Sequence, residues 1–198
     1  MTSVGPRTSD HEIAPIFLER WSPRAYSGEA IPEEELMRIF EAARWAPSSY
    51  NSQPWRFVYA RRDTPYWDRL FDLLVPHNQS WVRSASALVI LVSNAWMRLP
   101  GTDKAVPSPT HSFDTGTASG YFALQAHRMG WFTHGMVGFD RERAFADLNV
   151  PEGHTVEAAY AVGRVGDPSQ LPEALRARER PSTRLPLTQL AFEGSFRE

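Results

Sequence analysis

Ala46-Pro47-Ser48-Ser49-Tyr50-Asn51-Ser52-Gln53-Pro54-Trp55 is the stretch from which the rest of the chain can be read. Its two prolines bracket a run of hydroxyl and amide side chains, which is turn chemistry and not element chemistry. Upstream, Leu36, Ile39, Phe40 and Ala43 recur at i, i+3, i+4 and i+7, so the spacing predicts a helix over Glu34–Ala46. Pro32 and the Glu33-Glu34-Glu35 run suit its first turn, and Pro47 ends it. Downstream, Trp55–Ala60 reads as a short strand. A polar helix-to-strand loop of this kind is either plain surface or a set of hydroxyl, amide and backbone N–H groups offered to the heteroatoms of a planar ligand.

Further out, residues 65–74 read as a helix. Ala87–Ser93 is apolar on both faces, as a central strand must be. Residues 94–112 hold Pro100, Pro107 and Pro109 with no usable period and read as a long surface loop or lid. Phe113–Met129 is a second strong helix, built from Gly116, Ala118, Ser119, Gly120, Ala123 and Ala126. A mid-helix glycine costs roughly 1 kcal/mol against alanine, so two at i, i+4 imply that a helix or a flat ligand comes close. Residues 131–139 are glycine-punctuated, 141–149 read as a helix and 155–165 as a strand. Strands interleaved with helices give an α/β or α+β architecture.

Composition removes several function classes. The 198 residues carry 21 Lys+Arg against 23 Asp+Glu, a net charge of −2, so no basic nucleic-acid footprint is present in bulk. Without cysteine there is no disulfide, thiol nucleophile or Cys-ligated metal. The six histidines include no zinc-helix spacing, so no metal site is expected. No apolar run approaches the ~18 residues of a membrane span, and Met1–Asp10 lacks a signal-peptide core, so a cytoplasmic protein is expected. Nucleophile-elbow and phosphate-loop motifs are missing as well. An empty search for protein-borne catalytic groups favours a cofactor that carries the chemistry.

A second segment stands out, Arg20-Trp21-Ser22-Pro23-Arg24. In extended backbone Arg20, Ser22 and Arg24 project from one face. Two guanidiniums flanking a hydroxyl match phosphate oxygens, although the same spacing also fits a solvated arginine pair at a helix end.

Taken in order, R-x-S-x-R, the amphipathic helix and A-P-S-S-x-N-x-Q-P-W resemble the FMN-dependent nitroreductase superfamily. Asn78, the helix start Phe113-Asp114-Thr115-Gly116, the loop Gly135-Met136-Val137-Gly138-Phe139-Asp140 and Arg184-Leu185-Pro186-Leu187 match further elements, so that the resemblance spans about residues 13–190. It implies an α+β fold with a mostly antiparallel central sheet flanked by helices, in an intertwined homodimer. The whole chain, 1–198, would be one FMN-binding domain, with residues 1–10 disordered, 94–113 a lid and 186–198 an extended tail.

The resemblance also implies roles. Arg20, Ser22 and Arg184 would hold the FMN phosphate and ribityl chain, with Trp21 beside them and Arg24 nearer the N1/O2 edge of the ring. Pro47, Ser48, Ser49, Asn51 and Gln53 would reach the partner subunit's flavin. Asn78 would bond the pyrimidine edge or ribityl hydroxyls, and Met136, Val137 and Gly138 would lie at the ring. Trp96, His111 and Phe113 are the expected substrate-pocket residues, and His111 and His134 are candidate proton donors near the flavin. Ser182 stands where many members carry a second cation. The implied function is an FMN-dependent oxidoreductase that takes hydride from NADH or NADPH and reduces a nitroaromatic, quinone or similar small acceptor by a ping-pong route. A flavin-dependent dehydrogenase or dehalogenase on the same scaffold, and an FMN-storage protein without turnover, stay open. Partners are a small-molecule substrate and a second copy, with neither nucleic acid nor membrane.

Overall fold

Four strands, β1 (Trp55–Arg61), β2 (Ala87–Asn94), β5 (Phe132–Met136) and β6 (His154–Gly163), pair antiparallel in the order β1-β2-β6-β5. This arrangement comes from a computed structural model that describes residues 7–197. The mixed helix and antiparallel-sheet architecture agrees with the α+β expectation. β2 is central and buried over seven of its eight residues. Because side chains alternate across a strand, it feeds two cores. Leu88, Ile90 and Val92 join one cluster and Ala87 and Val89 another.

The first cluster is closed by α3 (Trp67–Phe71), α4 (Pro76–Val82) and α6 (Arg141–Asp147), through Trp67, Leu70, Phe71, Trp81, Val82 and Ala144. The second is closed by α2 (Glu33–Arg44) and α5 (His111–Arg128). Leu36, Ile39 and Ala43 of α2 are fully buried, as the sequence period requires. Phe40 lies 5.7 Å from Phe122 of α5 and 5.0 Å from Phe57 of β1, in stacked and tilted pairs. Buried Trp131, just past α5, donates its indole N–H to Glu35 at 2.6 Å and ties the two helices together.

Three expectations change. The 94–113 segment is no aperiodic loop. It folds as a hairpin of β3 (Trp96–Arg98) and β4 (Ala105–Pro107), strands of three residues that are too short to show an alternation. α5 begins at His111, two residues before the expected start. α4 was not foreseen; it opens on Pro76 at its first turn, where a missing N–H costs nothing.

Of the N-terminal ten residues, 1–6 lie outside the described residues. Residues 7–10 form no helix or strand, yet Arg7 donates to the carbonyls of Leu18 and Arg20 at the end of α1 (Ile16–Glu19). Described residues 186–197 are mostly exposed and form no helix or strand beyond one 3-10 turn at Leu187–Gln189, with a bend over residues 193–195. It follows α7 (Glu173–Arg176), whose Leu175 is buried in the main core.

Phe122 is the hub between the sheet and both long helices. Phe122→Ala should therefore cost about 3–5 kcal/mol of unfolding free energy, the range for deleting a buried aromatic ring, read by urea denaturation. A loss below about 1 kcal/mol, typical of surface positions, would mean the Phe40–Phe57–Phe122 stack is not a core element.

Candidate functional site

Arg20 caps α1 with extended backbone, and residues 21–23 follow in no regular element before a bend at Arg24. Arg20, Ser22 and Arg24 all line one cavity of about 600 Å³, but Trp21 between them lines it too, so the expected strict alternation is not what brings them together. The opposite wall is the segment after α7, which brings Arg178, Arg180, Ser182 and Arg184. With Arg7, six arginines face this space, and no carboxylate is among the described residues that line it. Burial, followed by the charge of Arg184, lowers the pKa of Arg20; burial, Arg184 and Arg20 do the same for Arg7. Arg184 is held by the Ser182 hydroxyl at 2.9 Å, so Ser182 orients the cation it stands beside. Trp21 also lines the cavity and packs edge-on against Phe132.

Arg20 and Ser22 line a second space as well, a groove of about 510 Å³. Its floor is the small-residue face of α5, Gly116, Ser119, Gly120 and Ala123, with Gly135 of β5 and Tyr160 of β6 opposite. A Cβ added to Gly116 or Gly120 would meet nothing within 4 Å, so these glycines leave open space and no helix of this chain fills it. The combined site has a strongly cationic end with forked donors and a flat, uncluttered end. That donor set suits a ligand with an anionic group at one end and a planar body at the other.

The Pro47–Gln53 loop lines neither space. Tyr50, Asn51 and Gln53 all have positive φ (52°, 53° and 46°), a left-handed conformation that costs non-glycine residues roughly 1–2 kcal/mol each. Two bonds offset this. The buried Asp114 of α5 accepts from the Ser49 amide at 3.1 Å, and Ser48 Oγ accepts from the Gln53 amide at 3.0 Å. The loop is thereby presented outward with Tyr50 62% exposed, next to an exposed Trp45.

Comparison with known proteins places the chain. Residues 18–80 match the Nitroreductase family model. A crystal structure described as an oxidoreductase containing FMN is 45% identical and superposes with a TM-score of 0.93, over 100% of this chain and 99% of that one. The chain belongs to the nitroreductase family. A protein from Desulfovibrio desulfuricans, assigned as a nitroreductase and solved in complex with FMN, is 25% identical with a TM-score of 0.70, covering 94% of this chain and all of its own. The NADH dehydrogenase of Thermus thermophilus is 26% identical over 202 residues, 88% of this chain and 92% of its own.

In this nitroreductase-family chain several expected site residues sit elsewhere. Met136 is buried in the main core, because it follows Gly135 on a strand and its side chain takes the opposite face from the groove. Asn78 is buried on α4 and donates to the Gly138 carbonyl at 2.9 Å, bracing the loop after β5 and lining neither space. Val137 is exposed. Arg24 lines the arginine cavity but not the groove. Trp96 lies on the hairpin against Gly153, where an added Cβ would come within 2.8 Å of the indole, and it lines neither space. His111 bonds Ser93 Oγ at 2.7 Å beside Glu157, the bulge residue of β6, and also lines neither space. Phe113 is 77% exposed, one helical turn from Gly116 and so over the same face of α5.

Sequence reading missed Arg7, Asp114 as the anchor of the strained loop, and Glu179. The last was signalled only as the one acid in Arg176-Ala177-Arg178-Glu179-Arg180. His134 lines the arginine cavity, and burial pushes its pKa down to about 4, with the Pro23 carbonyl at Nδ1 opposing and Arg24 assisting. It is therefore neutral at pH 7, with Nδ1–H donated to Pro23, and is no ready acid.

This neutrality has a pH signature. With a folded pKa below the unfolded value, His134 takes up its proton more readily in the unfolded chain. Its contribution is complete above pH ~6.5 and is lost as pH falls towards ~4, by up to about 1.4 kcal/mol per unit. Relative to His134→Gln, the wild type should lose about 2 kcal/mol between pH 7 and pH 4.5 in urea unfolding; a pH-independent difference would count against the burial argument.

Proposed function

We propose that residues 1–198 form one FMN-binding domain of a homodimeric NAD(P)H-dependent oxidoreductase. The observation that carries the reading is that a six-arginine cavity and a groove lined by Gly116 and Gly120 share Arg20 and Ser22 in their walls. FMN has a phosphate at one end and a planar ring system at the other, and relatives described as containing or complexed with FMN share the fold. When bound, FMN supplies hydride transfer from NAD(P)H to an organic acceptor such as a nitroaromatic or a quinone.

The chain's own residues then have three tasks. Arg20, Ser22 and Arg184 would hold the phosphate end with charge-assisted hydrogen bonds. Gly116, Gly120 and Gly135 leave room for the flat body. The neutral His134 and the absence of a carboxylate among the described lining residues keep that end free of negative charge, which would otherwise oppose an anion. No described helix is long and apolar enough to cross a membrane.

On this reading, purified protein is yellow or becomes so with FMN, and NADH or NADPH bleaches it until a quinone or nitroarene restores the colour. Arg20→Ala should weaken FMN by about 1.5–3 kcal/mol, the range for a hydrogen bond to a charged group. An unchanged dissociation constant in a fluorescence titration would remove Arg20 from the site. Bleaching without reoxidation by any acceptor would favour a storage protein.

The dimer rests on the Pro47–Gln53 loop. Tyr50, Asn51 and Gln53 are exposed on its strained, braced conformation, and the loop lines neither of the two spaces described, so it is free to complete a partner's site. Asn51→Ala and Arg20→Ala, each deficient in FMN alone, should regain about a quarter of the wild-type FMN content when mixed in equal amounts after subunit exchange, since about half of the dimers are then heterodimers and one of the two sites in each is intact. Failure of complementation with exchange demonstrated would assign both segments to one subunit's site, and a monomer that binds FMN tightly would end the dimer reading.

A further inference from the structure

Glu179 is the one acid in an arginine-rich arm, and its side chain is only 1% exposed. Burying a carboxylate is costly unless donors surround it. Here Oε1 accepts two backbone N–H groups, from Arg24 at 2.7 Å and Ala25 at 2.9 Å, across 155 and 154 residues of chain. Oε2 has no hydrogen-bond partner among the described residues and lies 3.9 Å from the Arg24 guanidinium. The carboxylate thus sits behind the cavity, at the seam between its two walls, and does not line it.

Those walls repel one another. Arg20 and Arg24 stand on one, and Arg178 and Arg184 on the other. Arg184 lowers the pKa of Arg20, and Arg178 lowers that of Arg24, in each case behind the larger effect of burial, while Glu179 raises Arg24. Leu175 fixes the start of the arm in the core. After it, Glu179 is the side chain that bonds the arm to the backbone of Arg24 and Ala25.

We propose that Glu179 is the positioning residue of this site, whose buried carboxylate clamps the Arg178–Arg184 arm against the Arg20–Arg24 segment and thereby gives the site its preference for a phosphorylated ligand. The proposal rests on the FMN reading for the identity of that ligand. Glu179 touches no ligand itself. It acts through Arg24 and through the placement of Arg184.

The test compares wild type, Glu179→Ala and Glu179→Gln for binding of FMN and of riboflavin, which lacks the phosphate, together with amide hydrogen exchange. Glu179→Ala should weaken FMN at least about tenfold while riboflavin changes less than about twofold. The amides of Arg24 and Ala25 should exchange faster in that variant. Glu179→Gln keeps an acceptor for both amides and should return FMN to within about threefold of wild type. Equal loss of FMN and riboflavin, or unchanged FMN binding in Glu179→Ala, would overturn the proposal. If the wild type binds neither flavin, the FMN reading fails separately, and the clamp is judged by exchange alone: unaltered protection at residues 24, 25 and 178–184 in Glu179→Ala overturns it.

Discussion

The burial of β2 on both faces is the constraint from which the architecture follows. A strand with Leu88, Ile90 and Val92 on one side and Ala87 and Val89 on the other cannot face water on either. It must be flanked by strands in the sheet and covered by a layer above and below. β1 and β6 supply the flanks, α2 with α5 one cover, and α3, α4 and α6 the other. Once α5 is committed to covering the sheet through Ala118, Phe122 and Ala126, its remaining face is free. That face carries Gly116 and Gly120, and the groove lies there.

The arginine cavity is held together against its own charge. Six guanidiniums around one space repel, and burial adds to the cost of charging Arg7, Arg20 and Arg24. Core contacts through Leu171 and Leu175, the Tyr26–Val165 bridge and the Glu179 carboxylate offset that cost. An anion at the mouth would relieve both the repulsion and the loss of solvation. Arranging charges in advance of the ligand is how a site gains affinity without reorganising on binding.

The loop before β1 stores strain of another kind. Three non-glycine residues with positive φ lie within four positions, braced by Asp114 from the start of α5. The same helix therefore supports the outward loop with its first turns and the groove with its middle.

The long periodic helices and the two-faced strand were legible in the sequence, because each rests on local spacing alone: 3.6 residues per turn, or two per pleat. The family resemblance was legible for a similar reason, since the Ala46–Trp55 run is contiguous. Position across the fold was not legible. The sequence marks Met136, Asn78, Trp96 and His111 as polar, aromatic or glycine-flanked, but which face of β5 Met136 takes is set by its register with β6, and Asn78 is turned inward by an unforeseen helix. The hairpin at 96–107 has too few residues per strand to carry a period. Glu179 and Arg24 meet across 155 residues, and only the closing of the C-terminal arm over the sheet's edge decides that pairing. Local geometry is written in neighbouring residues, whereas burial and long-range partners depend on where the whole chain closes.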